Sequence, residues 1–114
     1  MRAFFAARPE LTATPRRALP GLARDLGLAS LAAKDESGRF GLNAFKLLGA
    51  RFTIETLLAE GGLRRGATVV CAREGNHARA VARAGGEAGC PARVYMAHDA
   101  APARATAIAG EGAE

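Results

Sequence analysis

The stretch Ala67-Thr68-Val69-Val70-Cys71-Ala72, interrupted by Arg73-Glu74-Gly75-Asn76-His77, decides the fold. The first six residues are apolar and β-branched without polar alternation, the pattern of a strand buried on both faces of a parallel sheet. The break that follows predicts a helix from His77 to about Ala88, with Ala78, Val81, Ala82 and Gly85 on one face. Arg83 and Glu87 stand four apart on the other face, in the less favourable order for a helix pair. Gly85-Gly86 weakens this helix by about 2 kcal/mol relative to alanines.

Working outward, Pro91 precedes a second short strand, Ala92 to Met96, and a third helix is expected from about Ala101 to Ala109, closed by Gly110. Strand, helix, strand, helix implies right-handed βαβ units and a parallel sheet, hence an α/β fold. Such a layer would next pass into another strand, so the ending Gly110-Glu111-Gly112-Ala113-Glu114 reads as a cut through a domain, and the chain as a fragment.

Upstream, Asn43 to Ala59 is the best helix, with Leu47, Ala50, Ile54, Leu57 and Leu58 in one stripe and Gly61-Gly62 as its stop. A short helix at Leu22 to Leu26 is stopped by Gly27, and Leu28 to Ala33 is a short buried strand running into Lys34-Asp35-Glu36. Residues 1–20, punctuated by Pro9, Pro15 and Pro20, read as an irregular arm.

At 114 residues the chain is long enough for one modest core, and 49% hydrophobic with 24% charged residues is globular composition. The net charge of +5 is spread from Arg2 to Arg104 with no basic block, and five Phe and one Tyr leave little for base stacking. Nucleic acid is therefore not an expected partner. The Ala3-Phe4-Phe5-Ala6-Ala7 run is too short for a membrane span or a signal sequence, so a cytoplasmic protein is expected. Cys71 and Cys90 are too far apart for a CxxC pair, and buried reduced thiols are expected. No metal site is expected either, since His77 and His98 have no Cys or acid at ligand spacing.

The chemistry centres on two segments. Lysine is scarce: of 16 Lys+Arg only Lys34 and Lys46 are lysines. Lys46 follows Phe40-Gly41-Leu42-Asn43-Ala44-Phe45, at the start of a helix. A solvated helix lysine is the plain reading. A desolvated lysine amine, unlike arginine, can also lose its proton and form a Schiff base. The second segment, Glu74-Gly75-Asn76-His77, lies where a parallel strand hands over to a helix, which is where open α/β sheets bind ligands. Gly75 permits a positive φ or a close ligand approach, and Asn76 is able to cap the helix or donate to a ligand. Alone, a Gly-Asn pair is an ordinary turn and cap more often than a site. Asp35-Glu36 reads as structural charge at a strand end, within reach of Arg39.

Taken together, these segments resemble the tryptophan-synthase-β-like, fold type II family of pyridoxal 5′-phosphate enzymes, and within it the diaminopropionate ammonia-lyases. The resemblance runs from Thr14-Pro15 and Leu19-Pro20-Gly21-Leu22-Ala23, through Lys34-Asp35-Glu36-Ser37 and Arg39 to Gly49. It continues through Gly75-Asn76-His77, Gly89-Cys90-Pro91 and Val94-Tyr95-Met96 to Gly112-Ala113-Glu114. It implies a partial fold type II architecture: a parallel βαβα layer preceded by the arm and the cofactor-lysine helix. Residues 21–66 would belong to a large cofactor domain and 67–114 to the start of a small α/β domain.

The resemblance also implies roles. Lys46 would hold the pyridoxal phosphate covalently and act as a proton-transfer base. Asn76, beside Gly75, would hydrogen-bond the 3′-oxygen of the pyridine ring. Glu74 stands where these lyases usually have aspartate, as a second base. Ala78 stands where they have glycine, a methyl that would crowd the helix start. The implied reaction is α,β-elimination of ammonia from 2,3-diaminopropionate to give pyruvate, in a homodimer when full-length. A serine/threonine dehydratase of the same fold and an inactive truncated remnant are the alternatives. The family's glycine-rich phosphate loop has no counterpart after Gly49, so weak cofactor retention by this chain alone is expected.

Overall fold

The computed structural model describes residues 2–114, which form two compact units divided between Ala44 and Phe45. The first unit contains α1 (Arg2–Ala6), β1 (Arg16–Ala18), α2 (Pro20–Asp25) and β2 (Ala32–Lys34). β1 and β2 pair antiparallel, with Arg16 opposite Lys34 and Ala18 opposite Ala32.

The segment expected to be an irregular arm therefore carries a helical turn and a strand. In α1 the Phe4 and Phe5 rings meet edge to face at 5.1 Å, and the Arg8 guanidinium lies over Phe4 and donates to its carbonyl. β1 escaped the sequence reading because Arg-Arg-Ala is exposed throughout and has no β-branched residue to signal it. The expected strand Leu28 to Ala33 is confined to Ala32–Lys34, because Leu28 to Leu31 form the connection that returns from α2.

Arg39 is the buried charge of this unit. Its guanidinium donates to both carboxylate oxygens of Glu36, to the Thr12 carbonyl at 2.7 Å and to Thr14 Oγ1 at 3.1 Å. Asp35 accepts from Arg17 at 2.6 Å and from the Ser37 amide and hydroxyl. The acid pair is thus structural, as its position at a strand end suggested.

The second unit contains α3 (Lys46–Ala59), β3 (Val69–Ala72), α4 (Asn76–Glu87), β4 (Ala92–Tyr95) and α5 (Pro102–Ala109). β3 and β4 are parallel, in register from Val69 opposite Ala92 to Ala72 opposite Tyr95, so β3-α4-β4 is a βαβ unit as predicted. After α5, Glu114 donates to Ala92 O at 3.0 Å and accepts from Val94 N at 2.8 Å. β3 instead uses Pro91 O, through Val69 N at 2.8 Å. Alternate backbone groups face opposite edges of a strand, so Glu114 pairs on the edge of β4 away from β3, with the bonding pattern of a parallel strand.

The core lies between α3 and α4, which pack against each other. Leu47, Ala50 and Ile54 of α3 are buried, while Leu57 at the end of the predicted stripe is exposed. α4 buries Ala78, Ala80, Val81, Ala82, Ala84 and Gly85. The compact division falls before α3, because that helix packs with the βαβ layer.

Two expectations change. β3 is covered on one face only: Val70 is 58% exposed, because within this unit the helices pack on a single side of a two-stranded sheet. Arg83 and Glu87 pair elsewhere: Arg83 donates to Glu111 at 2.7 Å, and Glu87 accepts a bidentate pair from Arg51 of α3 at 2.8 and 2.9 Å. Among the described residues no helix is long and apolar enough to cross a membrane.

Candidate active site

The site forms where α3 and α4 begin. Asn43 takes a left-handed φ of 55°, which an asparagine tolerates and a helix does not, so α3 starts at Lys46 rather than at Asn43. Lys46 is thereby the first helical residue. Its side chain is exposed, with Nζ 4.7 Å from the centroid of the Phe45 ring, and among the described residues it forms no ion pair.

β3 ends at Ala72, and the chain turns into α4 through Arg73-Glu74-Gly75. Gly75 sits at φ 66° and ψ −144°, a conformation in effect reserved for glycine, and its carbonyl accepts the first helical bond from Arg79 N at 3.1 Å. Gly75 is itself the cap residue, and Asn76 is the first residue of the helix, with no side-chain capping bond. Asn76 therefore keeps its exposed amide free of the capping role the sequence allowed it. The amides of Asn76, His77 and Ala78 lack intrahelical acceptors, as in any first turn.

Lys46, Arg73, Glu74, Asn76 and His77 line one cleft of about 500 Å³. A second cleft, of about 550 Å³, lies at the carboxyl ends of the strands, against Ala72, Arg73, Glu74, Tyr95, Met96 and Ala97. Glu74 and Arg73 belong to both. The structure thus brings Lys46, Glu74 and Asn76 together, with Gly75 shaping the turn between the last two. Ala78 is fully buried on the core face of α4, so its methyl does not crowd the cleft.

Sequence reasoning missed two basic residues. Arg73 lines both clefts, a position that follows from the strand ending at Ala72. Arg104 of α5 donates from Nη1 to Glu74 Oε2, a pairing across 30 residues that no local pattern encodes. An apolar pocket of about 300 Å³ lies alongside, between Thr53, Ile54 and Leu57 of α3 and Val70 and Cys71 of β3, with His77 at its wall.

The two cysteines are free, as expected. Cys90 is fully buried, whereas Cys71 is only half-buried, and burial pushes its thiol pKa up. Among the described residues no three His, Cys, Asp or Glu side chains gather into a metal-binding group.

A parallel βαβ unit with an amine, a carboxylate and a free amide at its carboxyl end fits the family whose pattern the sequence carries. The chain belongs to the pyridoxal-phosphate dependent enzyme family, whose model matches residues 7–114. It is similar to diaminopropionate ammonia-lyase of Escherichia coli K12, at 38% identity over 116 residues, covering 89% of this chain and 29% of that protein. The Salmonella typhimurium diaminopropionate ammonia-lyase is 37% identical, covering 98% and 32%.

Among solved structures, the apo form of the Escherichia coli lyase superposes with a TM-score of 0.86 at 39% identity, over 99% of this chain and 33% of that one. The processed form of threonine deaminase isoform 2 from Solanum lycopersicum gives 0.73 at 27% identity, over 90% and 27%. The chain therefore spans about a third of the length of the relatives it matches.

Proposed function

We propose that this chain is the lysine-bearing N-terminal part of a pyridoxal 5′-phosphate-dependent lyase. The reaction is conversion of 2,3-diaminopropionate and water to pyruvate and two ammonia molecules. One observation carries the reading: Lys46, Glu74 and Asn76, a nucleophilic amine, a carboxylate and an amide donor, line a single cleft where a parallel strand gives way to a helix. That donor set suits the cofactor, which needs an amine for its aldehyde and a hydrogen bond for its ring oxygen.

Lys46 Nζ would hold the cofactor and move the proton at the substrate Cα. Asn76 would orient the ring through its side-chain amide, and Gly75 gives the turn that places that amide. Glu74 would serve as a second proton-transfer group at the same carbon. The bound cofactor supplies an electron sink for the negative charge that develops at Cα. Loss of the β-amino group as ammonia follows, and water completes the release of pyruvate and the second ammonia. The reading carries with it a small amino-acid substrate, a homodimeric whole enzyme and a cytoplasmic location.

Two measurements test it. Pyridoxal phosphate added to this chain and trapped with borohydride should label Lys46 in preference to Lys34, and the label should vanish in Lys46→Ala. In the full-length protein, pyruvate release from 2,3-diaminopropionate should exceed 2-oxoacid release from serine and threonine. Faster turnover of threonine would replace the lyase with a dehydratase, the reading favoured by the weaker likeness to threonine deaminase.

A further inference from the structure

Lys46 and Glu74 line the same cleft with opposite charges, yet they are not an ion pair. Glu74 gives its Oε2 to the Arg104 guanidinium instead, and Lys46 rests its ammonium against the Phe45 ring. An amine that is to attack an aldehyde must keep its lone pair available, and a neighbouring carboxylate would hold it as ammonium. Glu74 lies on the wall shared by the two clefts, and Arg104 sits on the helix that follows the loop beyond the second.

We infer that Arg104 is a positioning residue that engages the Glu74 carboxylate and so keeps it from pairing with Lys46, leaving amine and carboxylate as two separate groups in one cleft. The inference rests on the roles proposed for Lys46 and Glu74. It also gives a use to the longer side chain at position 74, which carries the carboxylate out to α5.

Lys34 supplies an internal reference, since it is the other lysine and belongs to the first unit, where it donates to Thr14. The test is competitive acetylation of this chain, without cofactor, read as the labelling rate of Lys46 relative to Lys34 by peptide mass spectrometry. In Arg104→Gln the released Glu74 should turn to Lys46 and lower the ratio by about two- to fivefold, the range of an exposed ion pair. Glu74→Gln alone should leave the ratio at or above that of the parent chain. The double variant Glu74→Gln/Arg104→Gln should restore the ratio, which a variant failing merely through loss of fold would not do, because the double variant lacks the same bond.

An unchanged ratio in Arg104→Gln overturns the inference, as does a lowered ratio that persists in the double variant. Because the labelling needs no cofactor, the expected pattern alongside a full-length protein that traps no pyridoxal phosphate at Lys46 would refute the proposed function and leave the positioning role standing.

Discussion

Gly85 and Gly86 are adjacent in α4, yet substitution by alanine should move stability in opposite directions. A Cβ on Gly85 would lie 2.5 Å from the Cys90 carbonyl oxygen, whereas ordinary contact begins at 3.4 Å. One group must therefore retreat by most of an ångström. The obstacle is backbone, and it is held: Cys90 N donates to Gly85 O at 2.8 Å, and Pro91 O accepts from Val69 N at 2.8 Å as the ladder of β3 and β4 begins.

Overpacking of this kind costs about 1–3 kcal/mol, and a weakened hydrogen bond adds about 1 kcal/mol. Against these, alanine gains about 1 kcal/mol of helix propensity. The net effect is a destabilisation of about 1–3 kcal/mol. At Gly86 a Cβ meets nothing within 4 Å, so only the propensity gain of about 1 kcal/mol applies. In thermal unfolding followed by far-ultraviolet circular dichroism under reducing conditions, Gly86→Ala should raise Tm by roughly 4–8 °C. Gly85→Ala should lower it by roughly 4–24 °C. A Gly85→Ala chain as stable as the parent would refute the close-approach argument and return both glycines to plain helix-weakening positions.

Three further outcomes are expected. In the first unit, hydrogen bonds from Arg39 and Thr14 lower the Glu36 pKa to about 2, and those from Ser37 and Arg17 hold Asp35 well below the usual carboxylate range. Both folded-state values lie under the unfolded ones, so their contribution is complete above about pH 4.5 and is lost as pH falls toward 2. Glu36→Gln should flatten the acid limb of an unfolding titration, and an unaltered limb would count against it. Glu111 is half-buried, and desolvation raises its pKa, but hydrogen bonds from Arg79 and Arg83 outweigh that and leave it lowered. Glu111→Ala removes the shared acceptor of both arginines and should cost about 1–3 kcal/mol in urea denaturation. Cys71 should alkylate slowly in the folded chain and Cys90 only on unfolding, so equal rates in native buffer would contradict the burial difference.

The α4 face shows how much was legible. Ala78, Val81, Ala82 and Gly85 recur at helical spacing and are all buried, because a helix that covers a sheet must turn one stripe inward. Lys46 and the Glu74-Gly75-Asn76 turn were legible for a local reason too, since a strand that ends in glycine before a helix leaves few backbone solutions. β1 was not legible, because an exposed Arg-Arg-Ala strand exists only through its partner Ala32–Lys34. The start of α3 was misjudged by three residues, because the left-handed φ of Asn43 leaves no mark on the hydrophobic pattern.

By itself the sequence determined the α/β class, the βαβ order, the family pattern and the three side chains that meet in the cleft. The class and the order rest on spacing within single elements, whereas the grouping of Lys46 with Glu74 and Asn76 rests on the family resemblance, since they stand in different elements. Tertiary structure alone decided which charges meet: Glu74 with Arg104, Glu87 with Arg51, and Glu111 with Arg79 and Arg83. It also decided that Gly85 is a point of close backbone approach while Gly86 is open. The physical reason is common to both. An ion pair or a steric contact between residues far apart in the chain depends on where whole elements are packed, and side-chain periodicity carries no information about that placement.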